Sequence, residues 1–269
     1  MLVQGAVRPT RHARVFLVAL LSTWLEMRTR SEFISTLGNG VPRFAVLAWI
    51  AGQSEDSSVV ATVSVGIVLL VIWTAAAFRV SFALRHEAVL GTLDLNMLAR
   101  SPLALITLGK AAAVTLSFVP NAIAALLVVF AVTREPITVA AVPAFAVAMT
   151  LATVALLAVA FVLLPMLFII GNRAGSFAAI TPFGAVLSGF VYPIDVLPGA
   201  LEFVARLMPT SWAMETVRWA ISGGHPASDF AGHWGIAAAL TVLYLVISVW
   251  LFRVAENRIR RSGSVEGIF

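Results

Sequence analysis

The spacing of the charged residues constrains this chain more than any other feature of its sequence. Five stretches lack Asp, Glu, Lys and Arg and are long enough to cross a bilayer core of roughly 30 Å, which takes about 20 apolar residues. They are Ser57–Phe78, Ala111–Thr133, Pro136–Asn172, Ala174–Ile194 and Phe230–Phe252. Hydrophobic residues make up 60% of the chain and charged residues only 12%. Because a soluble domain of this size cannot bury so much apolar surface, the composition indicates a membrane protein.

A sixth stretch, Phe33–Gly52, is interrupted by glycines, Pro42 and Arg43. Counting it as a span predicts an all-α polytopic membrane protein with six transmembrane helices. The 37-residue stretch Pro136–Asn172 is predicted to hold one long helix rather than two, because it has no polar turn between its halves. The predicted spans are residues 33–52, 59–78, 111–132, 142–170, 176–192 and 235–252.

The basic residues predict the orientation of these spans. If both termini are cytoplasmic, fourteen of the 18 Lys and Arg residues lie on the inner side and only three lie outside. This places residues 1–32, 79–110 and 253–269 inside and residues 193–234 outside, as expected for a bacterial plasma-membrane protein. Residues 13–31 are predicted to form an amphipathic helix in the inner interface, with an extra, partly inserted span as the alternative.

Charge and cysteine content exclude several other classes of function. The net charge of +5 follows from the positive-inside pattern, and no basic cluster is interleaved with aromatic residues, so no nucleic-acid partner is expected. The chain has no cysteine, which excludes disulfides and thiolate metal ligands. His86, His225 and His233 have no carboxylate at ligand spacing, so no metal site is predicted.

The inner loop 79–110 has the pattern of a short amphipathic helix. Leu90, Leu93 and Met97 recur at helical spacing, and Ser101-Pro102 ends the pattern. Gly91 inside such a helix costs about 1 kcal/mol relative to alanine, which favours either a close backbone contact or a break between two helices. The helix could dock on a protein surface or rest on lipid headgroups.

The outer segment 193–234 has the pattern of two short helices. Pro198 favours the start of the first, Pro209 is expected to end it, and Thr210 or Ser211 is expected to cap the second. The predicted apolar faces are Leu201, Val204, Ala205 and Met208 in the first helix, and Met214, Val217 and Ile221 in the second. Both helices are too short to span, so a re-entrant or surface-lying pair is predicted, with Trp212 and Trp219 as interfacial anchors.

Several short motifs of these two segments occur together in one known family. They are Arg85-His86-Glu87, Gly91-Thr92-Leu93-Asp94, Ser101-Pro102 and Gly109-Lys110 in the inner loop, then Ser188-Gly189, Pro193, Leu197-Pro198, Leu207, Pro209-Thr210 and Arg218. In this order and topology the chain resembles, over nearly its whole length, the membrane subunits of type-2 exporter-class ATP-binding-cassette (ABC) transporters. Asp94 stands where the family often has glutamate, which keeps the charge but shortens its reach.

The resemblance implies roles for particular residues. Those of the inner-loop coupling helix would contact the ATPase, namely Arg85, Glu87, Gly91, Thr92, Leu93, Asp94 and Leu98. Those of the outer gate would be Pro193, Leu197, Pro198, Pro209 and Arg218. The chain itself has no G-x-x-x-x-G-K-[ST] motif to cradle ATP phosphates. Magnesium-bound ATP would therefore be hydrolysed by a separate cytoplasmic ATPase, and the chain needs no cofactor of its own.

The family builds its transport path between two permease subunits, so the resemblance implies a homodimer or a heterodimer surrounded by membrane lipids. The expected substrate is an amphipathic small molecule such as a drug or natural product, with a lipid-linked polysaccharide or a lipid as the alternative. An assembly or immunity protein without transport stays open. A proton-coupled carrier is disfavoured, because the five clear spans contain no Asp or Glu.

Arg43 is the one charge expected inside a span. A charge near the centre of a membrane helix costs at least about 2.5–3.5 kcal/mol on insertion scales, so its side chain should face protein or water. It could line the transport path or the dimer interface. Alternatively, it could pair with a backbone carbonyl or reach the interface from a span that begins later.

Overall fold

The computed structural model describes residues 7–26, 42, 44–54, 56–74, 76–77, 103–134, 138–170 and 182–262. These residues are mostly helical and include no β-strand, which confirms the predicted all-α class. The helices are α1 (Val7–Glu26), α2 (Ser57–Thr74), α3 (Leu103–Ser117), α4 (Val119–Thr133), α5 (Val142–Ile170), α6 (Gly199–Arg206), α7 (Pro209–Ser222) and α8 (Ala227–Ser262). Shorter helical pieces lie at residues 44–51 and 182–187, and a 3-10 turn covers Ile194–Val196.

Four helical segments of the described chain are long and apolar enough to cross a membrane. They are Ser57–Thr74, Leu105–Thr133, Val142–Met166 and Ala227–Asn257. Helix α8 exposes Val242, Val246 and Trp250 by about 60% each, at four-residue spacing along one face. Such a stripe of large apolar side chains suits contact with lipid and is poorly suited to water.

Helix α5 lies at the centre of the bundle, packed against α8, α7 and α2. Its Phe161 and Leu164 join an apolar cluster with α2, α4 and Phe252 of α8, while Leu156 joins a second cluster with Trp73 and Met214. The helix passes through Pro165 without ending. A buried hydrogen bond, in which Ser248 Oγ donates to Phe161 O at 2.6 Å, also ties α8 to α5.

The predicted span 111–132 contains a break, between α3 and α4, that the charge pattern did not reveal. At Phe118 the helix tightens, because the Phe118 N–H donates to Thr115 O three residues back, at 3.1 Å. Pro120 follows in the first turn of α4 and has no N–H to continue the ladder. The two halves pack against different neighbours, since α3 contacts α1 and α4 contacts α2.

Several helices extend beyond the predicted spans. Helix α3 begins at Leu103, so Lys110, which was expected to close the inner loop, lies inside the helix and is buried. Helix α8 begins at Ala227, ahead of the predicted span 235–252, and continues to Ser262. The predicted spans 33–52 and 176–192 are only partly covered by the description, which contains the helical residues 44–51 and 182–187 from them.

Helix α1, predicted as an interfacial helix, packs along α3 at Gly109. A Cβ atom at Gly109 would lie 2.8 Å from Phe16 O and 3.0 Å from Ala19 Cβ. Gly109→Ala is therefore expected to push α1 away from α3 and to destabilise the protein by about 1–2 kcal/mol. Limited proteolysis of the detergent-solubilised protein checks this, because a displaced α1 should be cut sooner. Cleavage at the wild-type rate would contradict the packing.

Candidate functional site

The candidate site lies at the end of the bundle where α6 and α7 fold back on the spans. We call α6, the joint at residues 207–208 and α7 the helical hairpin. Helix α7 packs against α5 and α8, and its last turn is fixed by backbone hydrogen bonds. The N–H groups of Ala140 and Ala141, just before α5, donate to Ile221 O at 3.3 Å and Ala220 O at 2.9 Å. The hairpin is therefore an integral part of the bundle.

The ends of the hairpin helices differ from the prediction. Pro198 precedes α6 as its N-cap residue, whereas Pro209 is the first residue of α7 and does not merely end α6. The fixed φ of proline suits the first position of a helix, and the missing N–H costs nothing there. Thr210 and Ser211 therefore do not cap α7. Ser211 Oγ donates to Ala205 O at 2.7 Å and to Met208 O at 2.8 Å, which closes the joint.

The two hairpin helices also bury different shares of their predicted apolar faces. On α7, Met214, Val217 and Ile221 are all buried, as predicted. On α6 only Ala205 and the following Met208 are buried, while Leu201 and Val204 are exposed by about 40%. Of the charged residues of α6, Arg206 is partly buried and pairs with Asp195 and Glu215.

A tight turn at residues 188–192 connects the helical piece 182–187 to the hairpin and packs directly on α2. Gly66 of α2 touches the backbone of Phe190, since a Cβ atom at Gly66 would lie 1.7 Å from Phe190 O. Thr210 Oγ1 donates to Ser188 Oγ at 2.8 Å, a buried bond that joins α7 to the turn. The turn thus contacts a span on one side and the hairpin on the other.

Arg218 of α7 holds this turn through its guanidinium group. Its Nη2 atom donates to Gly189 O at 2.8 Å and makes a longer contact of 3.5 Å with Tyr192 O. Gly189, whose carbonyl oxygen accepts this bond, has a φ of +68°, a left-handed conformation that favours glycine. Burial lowers the pKa of Arg218 from its ordinary value, and the nearby carboxylates of Glu215 and Asp195 oppose that shift.

Arg206, at the end of α6, gathers the carboxylates around the hairpin. Its Nη2 atom lies 2.8 Å from Asp195 Oδ1 in the 3-10 turn, and its Nη1 atom lies 2.8 Å from Glu215 Oε2 in α7. Glu202 Oε1, one helical turn earlier, is 3.8 Å from Arg206 Nε. The Trp212 ring lies under the guanidinium, with Cζ 5.2 Å from the ring centroid. Arg206 therefore bridges the 3-10 turn, α6 and α7.

Aromatic and histidine side chains cover the junction between α7 and α8. The Trp219 ring stacks on His225 with ring centroids 4.4 Å apart and meets the edge of His233 at 4.3 Å. Trp234 Nε1 donates to Thr216 Oγ1 at 3.2 Å, which links the two helices directly. Trp212 and Trp219, predicted as interfacial anchors, are thus partly buried in contacts with histidines.

The structure brings together part of the predicted gate. Arg218 contacts the turn that leads into Pro193, and Leu197 and Pro198 follow the 3-10 turn whose Asp195 pairs with Arg206. Pro209 begins the helix that carries Arg218. The predicted coupling residues Arg85, Glu87, Gly91, Thr92, Leu93, Asp94 and Leu98, and also Arg43, lie outside the described residues.

The sequence analysis did not single out Arg206 or its partners Asp195, Glu202 and Glu215 as functional residues. A local signal was present for one pair, because Glu202 and Arg206 are four residues apart on one helix. The partnerships of Arg206 with Asp195 and Glu215 and of Arg218 with Gly189 depend on the fold of the hairpin and leave no spacing rule in the sequence.

The chemistry of this end of the bundle is that of ion pairs and hydrogen bonds. Among the residues that the structure describes, no group of three or more His, Asp or Glu side chains could hold a metal ion. In this arrangement, long charged side chains bond to backbone carbonyls and to one another.

Neither a protein-family model nor a curated protein sequence matches the chain.

Proposed function

We propose that this chain is the transmembrane subunit of an ATP-driven exporter that moves an amphipathic small molecule outward across the bacterial plasma membrane. In this proposal six spans form the membrane domain, both termini are cytoplasmic, and a separate cytoplasmic ABC ATPase supplies the energy. A second permease subunit, identical or related, completes the transport path. The helical hairpin lies at the outer boundary of the membrane as a re-entrant or surface-lying pair.

The observation that carries the proposal is the folded hairpin at one end of a bundle of apolar helices. Helices α6 and α7 are too short to span, yet α7 packs against α5 and α8 and is fixed to them by backbone and side-chain hydrogen bonds. A movable permease needs such a closure at the end that opens. The resemblance of the inner-loop motifs to ABC permeases and the lack of a phosphate-binding loop in the sequence support a separate motor.

The proposed mechanism is a rigid-body switch. ATP binding would close the pair of ATPase subunits and draw the two coupling helices together. The spans would then tilt as packed units and part at the hairpin end, because close-packed cores move between discrete arrangements rather than deforming continuously. Arg218 and Arg206 would hold the closed arrangement.

Co-purification tests the proposal. The chain, purified with the ABC ATPase encoded nearest to it, is expected to form a stable complex whose ATP turnover falls about tenfold or more on Glu87→Arg, since the substitution reverses a charge in the predicted docking helix. Gly91→Trp should act in the same direction by adding bulk. Glu55→Arg makes the same change of charge in a loop predicted to lie outside and should leave turnover unaltered. A chain that transports alone in liposomes would refute the proposal.

A further inference from the structure

Within the described residues, Arg218 is hydrogen-bonded at one of its three guanidinium nitrogens. Nη2 is occupied by the turn carbonyls, whereas Nε and Nη1 are buried and find no acceptor within the described part of the chain. Arginine cannot shed its charge to relieve this, because its pKa stays far above neutral. Buried charged donors without acceptors are costly, so this arrangement favours any rearrangement that brings an acceptor to them.

Glu215 is the carboxylate best placed to become that acceptor. It lies three residues before Arg218 on α7, so the two side chains are neighbours on the helix surface. In the described arrangement, however, its Oε2 atom bonds to Arg206 Nη1 at 2.8 Å. The same Oε2 atom lies 3.8 Å from His233 Nε2 of α8, so the carboxylate has Arg206 on α6, His233 on α8 and Arg218 on its own helix as neighbouring partners.

The two arginines differ in what they lose when Glu215 leaves them. The side chain of Arg206 is 29% exposed and keeps its 2.8 Å bond to Asp195, so water can replace Glu215 there. The unpaired nitrogens of Arg218 are buried. Moving Glu215 to Arg218 breaks one charged hydrogen bond and forms another of the same kind, and it leaves the solvated arginine, rather than the buried one, short of an acceptor.

We propose that Glu215 exchanges between Arg206 and Arg218. This exchange is a switch that decides whether the 3-10 turn Ile194–Val196 is linked to α7. With Glu215 on Arg206, an unbroken ionic bridge runs from Asp195 through Arg206 to α7. With Glu215 on Arg218, the bridge ends at Arg206, and the turn is free to move away from α7. The bonds of Ser211 Oγ to Ala205 O and of Trp212 Nε1 to Arg206 O remain as the pivot.

Spin-label distances in the full chain test the switch. The chain has no cysteine, so Val196→Cys and Ser222→Cys place two nitroxide labels without background, on exposed positions of the turn and of α7. Double electron–electron resonance in lipid nanodiscs then gives the ratio of short to long distances. In an Arg206→Lys background, which weakens the bridge, adding Arg218→Gln should raise that ratio on the order of tenfold, because the competing partner of Glu215 is gone.

The sign of this change is decisive. If Arg218 served only to hold the turn at residues 188–192 through Gly189, Arg218→Gln would lower the ratio of short to long distances. That result would overturn the proposal. In a Glu215→Gln background the exchange predicts that Arg218→Gln no longer raises the ratio, so a rise that persists there also counts against the proposal. Glu202→Gln removes a carboxylate 3.8 Å from Arg206 and should leave the response to Arg218→Gln intact.

Two further points keep the test independent of folding and of function. Should Arg218→Gln fail to fold, Arg218→Lys keeps a donor for Gly189 O but offers fewer donors to Glu215, and it should raise the ratio to a smaller extent. An unchanged or lowered ratio for that variant would also overturn the proposal. The distance readout needs neither ATP nor a transported molecule, so it does not depend on the proposed exporter activity.

Discussion

Gly66→Ala is expected to prevent the native packing of α2 against the turn at residues 188–192. The added Cβ atom would lie 1.7 Å from Phe190 O and 2.7 Å from Phe190 C. Both atoms belong to the backbone, so no side chain can rotate away and the two segments must separate. Overpacking of a core usually costs 1–3 kcal/mol, and we expect at least about 3 kcal/mol here. Thermal unfolding followed by tryptophan fluorescence in detergent measures the loss.

Two glycines of α8 provide the matched controls for Gly66. A Cβ atom added at Gly232 or at Gly235 would have nothing within 4 Å. Alanine at either position is expected to leave the midpoint of unfolding unchanged or to raise it, since alanine is favoured over glycine in a helix by up to about 1 kcal/mol. If Gly66→Ala unfolded at the same temperature as Gly235→Ala, the close contact with Phe190 would be wrong.

Gly184→Ala is expected to have the second largest effect, and a second substitution should partly reverse it. A Cβ atom at Gly184 would lie 2.3 Å from Cζ2 of Trp73, a fully buried ring at the centre of the second apolar cluster. Displacing that ring should cost about 2–3 kcal/mol. Trp73→Phe removes the part of the ring that clashes and leaves a small cavity of its own.

A double-mutant cycle separates this contact from general damage to the core. The variant with both Gly184→Ala and Trp73→Phe should unfold at about the temperature of Trp73→Phe alone, because the new methyl group occupies the space that the smaller ring leaves. The coupling free energy is then about 2 kcal/mol and favourable. Additive effects of the two substitutions would show that Gly184 and Trp73 are not in contact.

Helices α2, α4, α5 and α8 could be predicted from the positions of the charges alone. The charge-free stretch that contains α5 was predicted to hold one helix, and the structure has one helix over Val142–Ile170. The prolines at 198 and 209 predict two short helices, and the structure has α6 and α7 there, although α7 begins at Pro209 and is not capped by Thr210 or Ser211. These features are local, since a long apolar run or a proline restricts the backbone wherever it occurs in the chain.

The contacts that shape the candidate site could not be predicted in the same way. Arg218 bonds to a carbonyl 29 residues earlier in the chain, and Gly66 meets Phe190 across the bundle. No periodicity links such positions. The break at Phe118 left a visible signal in Pro120, but counting charge-free residues is blind to proline.

The roles that the resemblance implies for the coupling segment, from Arg85 to Leu98, stay predictions, as does the role inferred for Arg43 from its charge inside a predicted span. These residues lie outside the described residues. The residues of the predicted gate divide into two groups. Arg218 bonds directly to the turn at residues 188–192, whereas Pro193, Pro198 and Pro209 lie at the starts of the 3-10 turn, α6 and α7, and Leu197 lies at the end of the 3-10 turn.

The break at Phe118 divides the apolar segment Leu105–Thr133 into two helices joined by a hinge. Its first piece, α3, packs against α1, and its second piece, α4, packs against α2. Because Pro120 has no N–H, one helical hydrogen bond is already missing at this point, and bending there breaks no further bond. A tilt imposed on α3 from its own end therefore need not be passed in full to α4, and the hinge sets how much of such a tilt reaches α2.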